Sequence, residues 1–237
     1  MKIGTCVRGE EILPMLPDII LHGFETVEIY FDNGLKNVEL VSLAERVKQI
    51  AEDKISFSGI GIYVNPLQYE GQRQAVEKCI DSARCFGANI VSTFAGAIEG
   101  ASVPEAMGAF KKVFGELTKR AEGNGVKIGI ENAHSHGFWY RATNNIGFCP
   151  SAWEMMFDAV DSDALGLTWE PSHQIEQFID IYAQLETWGS RIVHVHGKDG
   201  KIDKELSVNT ARGSDNIIVI TDFREWVIQT GKESCYN

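Results

Sequence analysis

The sequence predicts an α/β chain, a (β/α)8 barrel lacking its eighth strand. Three observations carry this. Seven short apolar runs read as strands, at 2–7, 25–31, 55–63, 88–93, 126–131, 165–170 and 191–196, with segments of helical period between them. Consecutive runs begin far enough apart to hold a crossover helix, as parallel strands require. An open doubly wound sheet should carry Gly-x-Gly-x-x-Gly after its first strand. Here that strand runs into Cys6-Val7-Arg8-Gly9-Glu10, and Gly59-Ile60-Gly61 lies inside a strand.

The helices follow from apolar spacing and caps. Leu40, Leu43, Ala44, Val47 and Ile50 fall on one face, and so do Met107, Phe110, Phe114, Leu117 and Ala121. Ser42-x-x-Glu45, Ser102-x-x-Glu105 and Ser151-x-x-Glu154 read as capping boxes, in which the serine caps a free N–H and the glutamate reaches back. Further helical segments span 72–86, 174–186 and 222–230. No linker, low-complexity stretch or charge block divides the chain, so residues 1–237 are read as a single domain.

Composition excludes several classes. At 237 residues and 26.3 kDa, the chain can bury a sizeable core. No apolar run reaches the ~18 residues of a spanning helix, and the N-terminus lacks the apolar region of a signal peptide. With 22 basic and 33 acidic residues the net charge is −11, a poor match to a phosphate backbone. Neither a membrane nor a nucleic acid is therefore an expected partner. The five cysteines are odd in number, and none are paired as Cys-x-x-Cys. Reduced thiols in a cytoplasmic compartment are the expectation.

Polar residues at the C-terminal ends of barrel strands are the default catalytic candidates. The fifth run ends Ile128-Gly129-Ile130-Glu131, the sixth Thr168-Trp169-Glu170-Pro171-Ser172-His173, and the seventh Ile192-Val193-His194-Val195-His196. Five of the six histidines (134, 136, 173, 194 and 196) lie at or after these ends. Two carboxylates and an imidazole on neighbouring strand ends can converge on one divalent cation, and that donor set suits Mn, Co, Zn or Mg. His194 and His196 share a side of their strand, and His196 lies nearer its end. The metal set is therefore Glu131, Glu170 and His196. A lone glutamate at a strand end is commonly just solvated, and His-x-His alone says little. The order Glu, Glu-x-x-His, His-x-His carries the reading.

These segments resemble the xylose isomerase-like TIM barrels, specifically the sugar phosphate isomerase/epimerase branch. The resemblance rests on Gly23-Phe24-Glu25-Thr26-Val27-Glu28-Ile29, Gly87-Ala88-Asn89-Ile90-Val91, residues 126–132, 165–173, and 192–199 (IVHVHGKD), and covers about residues 1–200. It implies that Glu131 binds metal and acts as the catalytic acid/base, that His173 contacts substrate or metal, and that His196 binds metal. Glu170 stands where the family usually has Asp. Lys198 and Asp199 are implied to lie near substrate. The implied cofactor is one divalent metal ion, and the implied partner is a small-molecule carbohydrate.

The family's fourth ligand, a glutamate on the eighth strand, has no counterpart. The chain departs from the pattern after about residue 200, Thr221-Asp222-Phe223 resembles the start of the last helix, and Glu233 falls too early. Unpaired edges on the first and seventh strands favour a homodimer. The segment 132–150 is expected to cap the site, with His134 and Trp139 against the substrate and Arg141 on a phosphate or carboxylate. The same aromatics can instead pack against the barrel. Glu28 is expected to serve a hydrogen-bonding role, and Trp169 a packing one.

The implied chemistry is proton transfer beside a carbonyl, through an enediolate, in an isomerase or epimerase of a sugar or sugar phosphate. A dehydratase or lyase acting on an inosose or dehydroshikimate-like compound remains open, as does a catalytically inactive metal-binding barrel. The endonuclease IV relatives need histidines at the third and fourth strand ends. Those ends read Tyr63-Val64-Asn65-Pro66 and Thr93-Phe94-Ala95-Gly96, which argues against DNA repair.

Overall fold

The computed structural model describes residues 2–135, 137–202 and 217–220. His136, the segment 222–230, Glu233 and Cys235 lie outside the described residues. Seven parallel strands pair in sequence order: β1 (Gly4–Arg8), β2 (Thr26–Asp32), β3 (Ser56–Tyr63), β4 (Ile90–Thr93), β5 (Lys127–Glu131), β6 (Leu165–Trp169) and β7 (Ile192–Val195). The sheet is an incomplete α/β barrel of the TIM type. Among the described residues no ladder joins β7 to β1, and no eighth parallel strand fills the place between them. After β7 the chain forms a separate antiparallel pair, β8 (Asp199–Ile202) with β9 (Ile217–Ile220). The unbroken apolar run Ile217-Ile218-Val219-Ile220 forms β9, a strand beyond the seven expected.

Strand alternation sorts the side chains into two layers. Val27, Ile29 and Phe31 of β2, Ile60 and Ile62 of β3, and Ile128 and Ile130 of β5 are buried in the outer core. There they meet the helices α1 (Ile12–Leu21), α2 (Leu40–Ala51), α3 (Glu70–Ser82), α4 (Val103–Asn124) and α5 (Pro150–Ala159). The apolar face foreseen on α4 is buried, and Phe110 stacks on Phe114 at 4.5 Å. Each fully buried phenylalanine contributes about 1.5–3 kcal/mol. The inner layer is polar or small. Gly129 is required there, because a Cβ would collide with the Thr168 hydroxyl.

Several local expectations need correction. Ser102 does close a capping box with Glu105 on α4. Ser42 does not cap, because burial of Leu40 extends α2 back to an N-cap at Glu39. Ser151 does not cap either, because Pro150, preorganised for a first helical position, starts α5 after Cys149. The segment 174–186 is two helices, α6 (Pro171–Glu176) and α7 (Ile181–Trp188). Phe178 between them sits at φ 59°, and the Asp180 side chain accepts from the Tyr182 and Ala183 N–H groups to open α7. The segment 72–86 likewise ends as a 3₁₀ turn over Ala83–Phe86. Helix α1 is an addition to the expected helices, and it buries Ile12, Leu16 and Ile19 on one face.

Candidate active site

The sheet brings the three strand-end residues together. Ligand atoms of Glu131, Glu170 and His196 all lie within 4.8 Å of one another. His196 Nδ1 is 3.3 Å from Glu131 Oε2 and 3.6 Å from Glu170 Oε2. Both carboxylates are buried.

Neighbouring backbone and amide groups fix these positions. The Asn132 amide donates to the Glu170 carbonyl at 2.8 Å and accepts from the Glu170 N–H at 2.6 Å. This clamp locks the ends of β5 and β6 side by side. The Asn145 amide donates to the Glu131 and Ala133 carbonyls and holds the chain beyond β5. Beyond β6, Trp169 Nε1 donates to Gln184, Gln184 to Gln174, and Gln174 to the Phe148 carbonyl. Trp169 thus has a polar tether as well as its packing role.

Glu170 Oε1 is engaged on three sides: by the Ser172 hydroxyl at 2.6 Å, Lys198 Nζ at 2.6 Å and His173 Nε2 at 3.0 Å. Its Oε2 is left facing His196. His173 also lies 4.0 Å from Glu131. His173 and Lys198 therefore join the cluster directly. His134 packs edge-on against Phe148. Trp139 and Arg141 are exposed, at a short bridge where Phe138 and Arg141 exchange backbone hydrogen bonds.

A third carboxylate belongs to the same interior. Glu28 on β2 is 2% exposed, and its Oε2 accepts from His194 Nε2 at 2.6 Å and His196 Nε2 at 2.9 Å. Tyr63 donates to its Oε1 at 2.9 Å. Gly61 makes this possible, since a Cβ there would lie 2.5 Å from Glu28 Oε1. The β2–β3 register slips between Val27 and Glu28, and the β6–β7 register between Leu167 and Thr168. Such bulges re-aim side chains beside functional sites. The hydrogen-bonding role expected of Glu28 is what the structure gives it, inside the site. A cavity of about 890 Å³ runs along the open side, lined by Cys6, Glu28, Tyr63, Glu131, Glu170 and His196 among others.

The charges are strongly coupled. Burial alone would raise the Glu28 carboxyl, but the charge of His196 and hydrogen bonds from both histidines hold it well below the ordinary range. Burial opposes Glu170 in the same way, and His196, His173 and Lys198 hold it low. Burial would lower His196, yet Glu28, Glu131 and Glu170 raise it well above its usual value. A carboxyl depressed by folding contributes stability above its unfolded value, near 4.5, and loses it as pH falls toward the folded value. An imidazole raised by folding contributes fully below 6.5 and loses stability as pH rises through its folded value. The metal-free protein is therefore expected to melt highest between about pH 4.5 and 6.5, with losses on both sides. Thermal unfolding in chelator across this range checks it. A melting temperature still climbing from pH 6.5 to about 8.5 would contradict it.

The donor set fits a divalent cation: two carboxylate oxygens and one imidazole nitrogen converge beside an open cavity, three protein ligands with room for a further one. Among the described residues Cys6, Cys79, Cys85 and Cys149 are free thiols. No described helix is long and apolar enough to cross a membrane.

Comparison with solved structures gives the same fold at low identity. A D-tagatose 3-epimerase-like protein superposes with a TM-score of 0.67 at 20% identity, over 83% of this chain and 75% of that one. A probable 3-DHS dehydratase from Bacillus anthracis gives 0.64 at 15%, over 99% and 90%. A sugar phosphate isomerase/epimerase from Parabacteroides distasonis gives 0.60 at 14%, over 91% and 80%. No curated protein sequence matches the chain. A family model does, across residues 19–233, and on that match the chain belongs to the xylose isomerase-like TIM barrel family.

Proposed function

We propose that the protein is a divalent-metal-dependent isomerase or epimerase of a sugar or sugar phosphate, working by proton transfer through an enediolate. The observation that carries this reading is the convergence of Glu131, Glu170 and His196 donor atoms at neighbouring strand ends, open to the cavity. Family membership and the epimerases of like fold support it. Glu131, Glu170 and His196 would hold the cation. When bound, it supplies Lewis-acid polarisation of a carbonyl and the neighbouring hydroxyl oxygen.

The protein's own groups do the rest. Glu131 takes the proton from the carbon beside the carbonyl. Its return to the adjacent carbon isomerises the sugar; reprotonation of the original carbon on its opposite face, by a second acid or a solvent water, epimerises it. Lys198 and His173, both held on Glu170 Oε1, supply hydrogen bonds to substrate oxygens. In the same reading His134 and Trp139 bound the substrate from the long loop, and Arg141 meets an anionic group.

The test is solvent exchange. The protein, reconstituted with Mn, Co, Zn or Mg, is incubated in D₂O with a panel of ketoses and ketose phosphates and followed by NMR. Deuterium at the carbon beside the carbonyl, lost in Glu131→Gln, is the expected result. No exchange from any of these substrates by folded, metal-loaded protein overturns the proposal. The dehydratase of like fold, aligned over 99% of this chain, motivates a dehydroshikimate-like compound in the same panel. Loss of water from it would favour that second reading.

A further inference from the structure

We propose a second cation position on the far side of His196, built by the Cys6 thiolate, the Glu28 carboxylate and His196 Nε2. The three ligand atoms lie within 4.8 Å of one another. The β1–β2 register places Cys6 directly opposite Glu28, so both project from the same face of the sheet. His196 follows β7 and meets them across the open side of the barrel. Tyr63 occupies Glu28 Oε1, which leaves Oε2 toward the two histidines.

One imidazole thus stands between two separate acidic sets. Its Nδ1 faces Glu131 and Glu170, and its Nε2 faces Glu28 at 2.9 Å. The sets share no carboxylate. The sugar chemistry proposed above uses neither Cys6 nor Glu28, so a buried carboxylate and a thiol on the cavity wall are left without a role in it. Their donor classes also differ. Two oxygens and a nitrogen suit the harder cations, whereas sulfur with nitrogen and oxygen favours zinc-like ones.

The charges balance. A divalent cation there faces one thiolate and one carboxylate. Loading displaces the Cys6 thiol proton and the proton on His196 Nε2, and both pass to solvent. A bound cation favours the thiolate over the thiol. The residue is open to the cavity, which gives the ion a path in.

The test is a Co²⁺ titration of the chelator-treated full chain, followed by absorption. Sulfur ligation gives a thiolate-to-cobalt charge-transfer band in the near ultraviolet, which carboxylate and imidazole ligands do not. The band is expected in the parent protein, lost in Cys6→Ser and Cys6→Ala, and kept in Glu170→Gln, whose change falls on the other set. Circular dichroism establishes that each variant is folded. A folded, cobalt-saturated parent without the band overturns the proposal, as does a band that survives both Cys6 variants. Loss in Glu170→Gln as well would mean a single site and overturn it too. The readout needs no turnover, so failure of the sugar assay leaves this result independent.

Discussion

Replacing Glu131 with glutamine is expected to lower turnover on the order of 10²–10⁴-fold, the range typical of a lost general acid–base group. The change keeps the side chain's size and removes its basicity. The backbone should stay in place, because Asn145 holds the Glu131 carbonyl and Asn132 clamps the neighbouring strand end. Metal affinity should fall as well, since one of three converging ligands loses its charge. The two effects separate by measuring turnover at saturating metal. If the rate returns to within tenfold of the parent there, Glu131 is a ligand and not the base. If exchange of the carbon-bound proton stays lost at full metal loading, the proton-transfer role stands.

The strands were legible because their outward residues, packed on the helices, give each a short run of buried apolar side chains at alternate positions. Segments such as Val126-Lys127-Ile128-Gly129-Ile130-Glu131 also announce where the run stops, and the candidate donor side chains lie at that stop. That rule picked out Glu131, Glu170 and His196, whose donor atoms the fold gathers. Caps were less legible. Ser42 and Ser151 have the right spacing, but a buried leucine and a proline each moved the helix start upstream. Helix α1 was hidden by Pro17, which argues against a helix locally while burial of one face sustains it. The break between α6 and α7 does have a signal in the sequence, Asp180 before an apolar stretch.

The second half of the site was not legible for a different reason. Cys6, Glu28 and Tyr63 sit on the first three strands, and their partners are His194 on β7 and His196 just after it. Glu28 and His196 are 168 positions apart, and no local pattern links them. Only curling of the sheet places them together. Asn132 is a milder case: a buried asparagine immediately after a strand could have been read as a clamp on its neighbour, but not which neighbour.

That long-range contact leads to the largest expected effect on stability. Glu28→Ala is expected to destabilise the metal-free protein by about 3–5 kcal/mol, the cost of stranding the partners of a buried charge. For a chain of this size that is a fall in melting temperature of about 6–20 °C. The reason is mechanical as well as electrostatic. Among the described residues β1 pairs with β2, β7 pairs with β6, and no ladder closes the gap between β7 and β1. Glu28 on β2, bonded to Tyr63 on β3 and to His194 and His196 at the far edge, ties the two ends of the sheet across the interior. Alanine removes the tie and leaves two imidazoles and a phenol without their acceptor. Glu28→Gln should cost less, because its carbonyl can still accept from one of them. Thermal unfolding in chelator near pH 6 keeps His196 charged and any cation absent. An alanine variant melting within about 2 °C of the parent would show that packing alone holds the open edge.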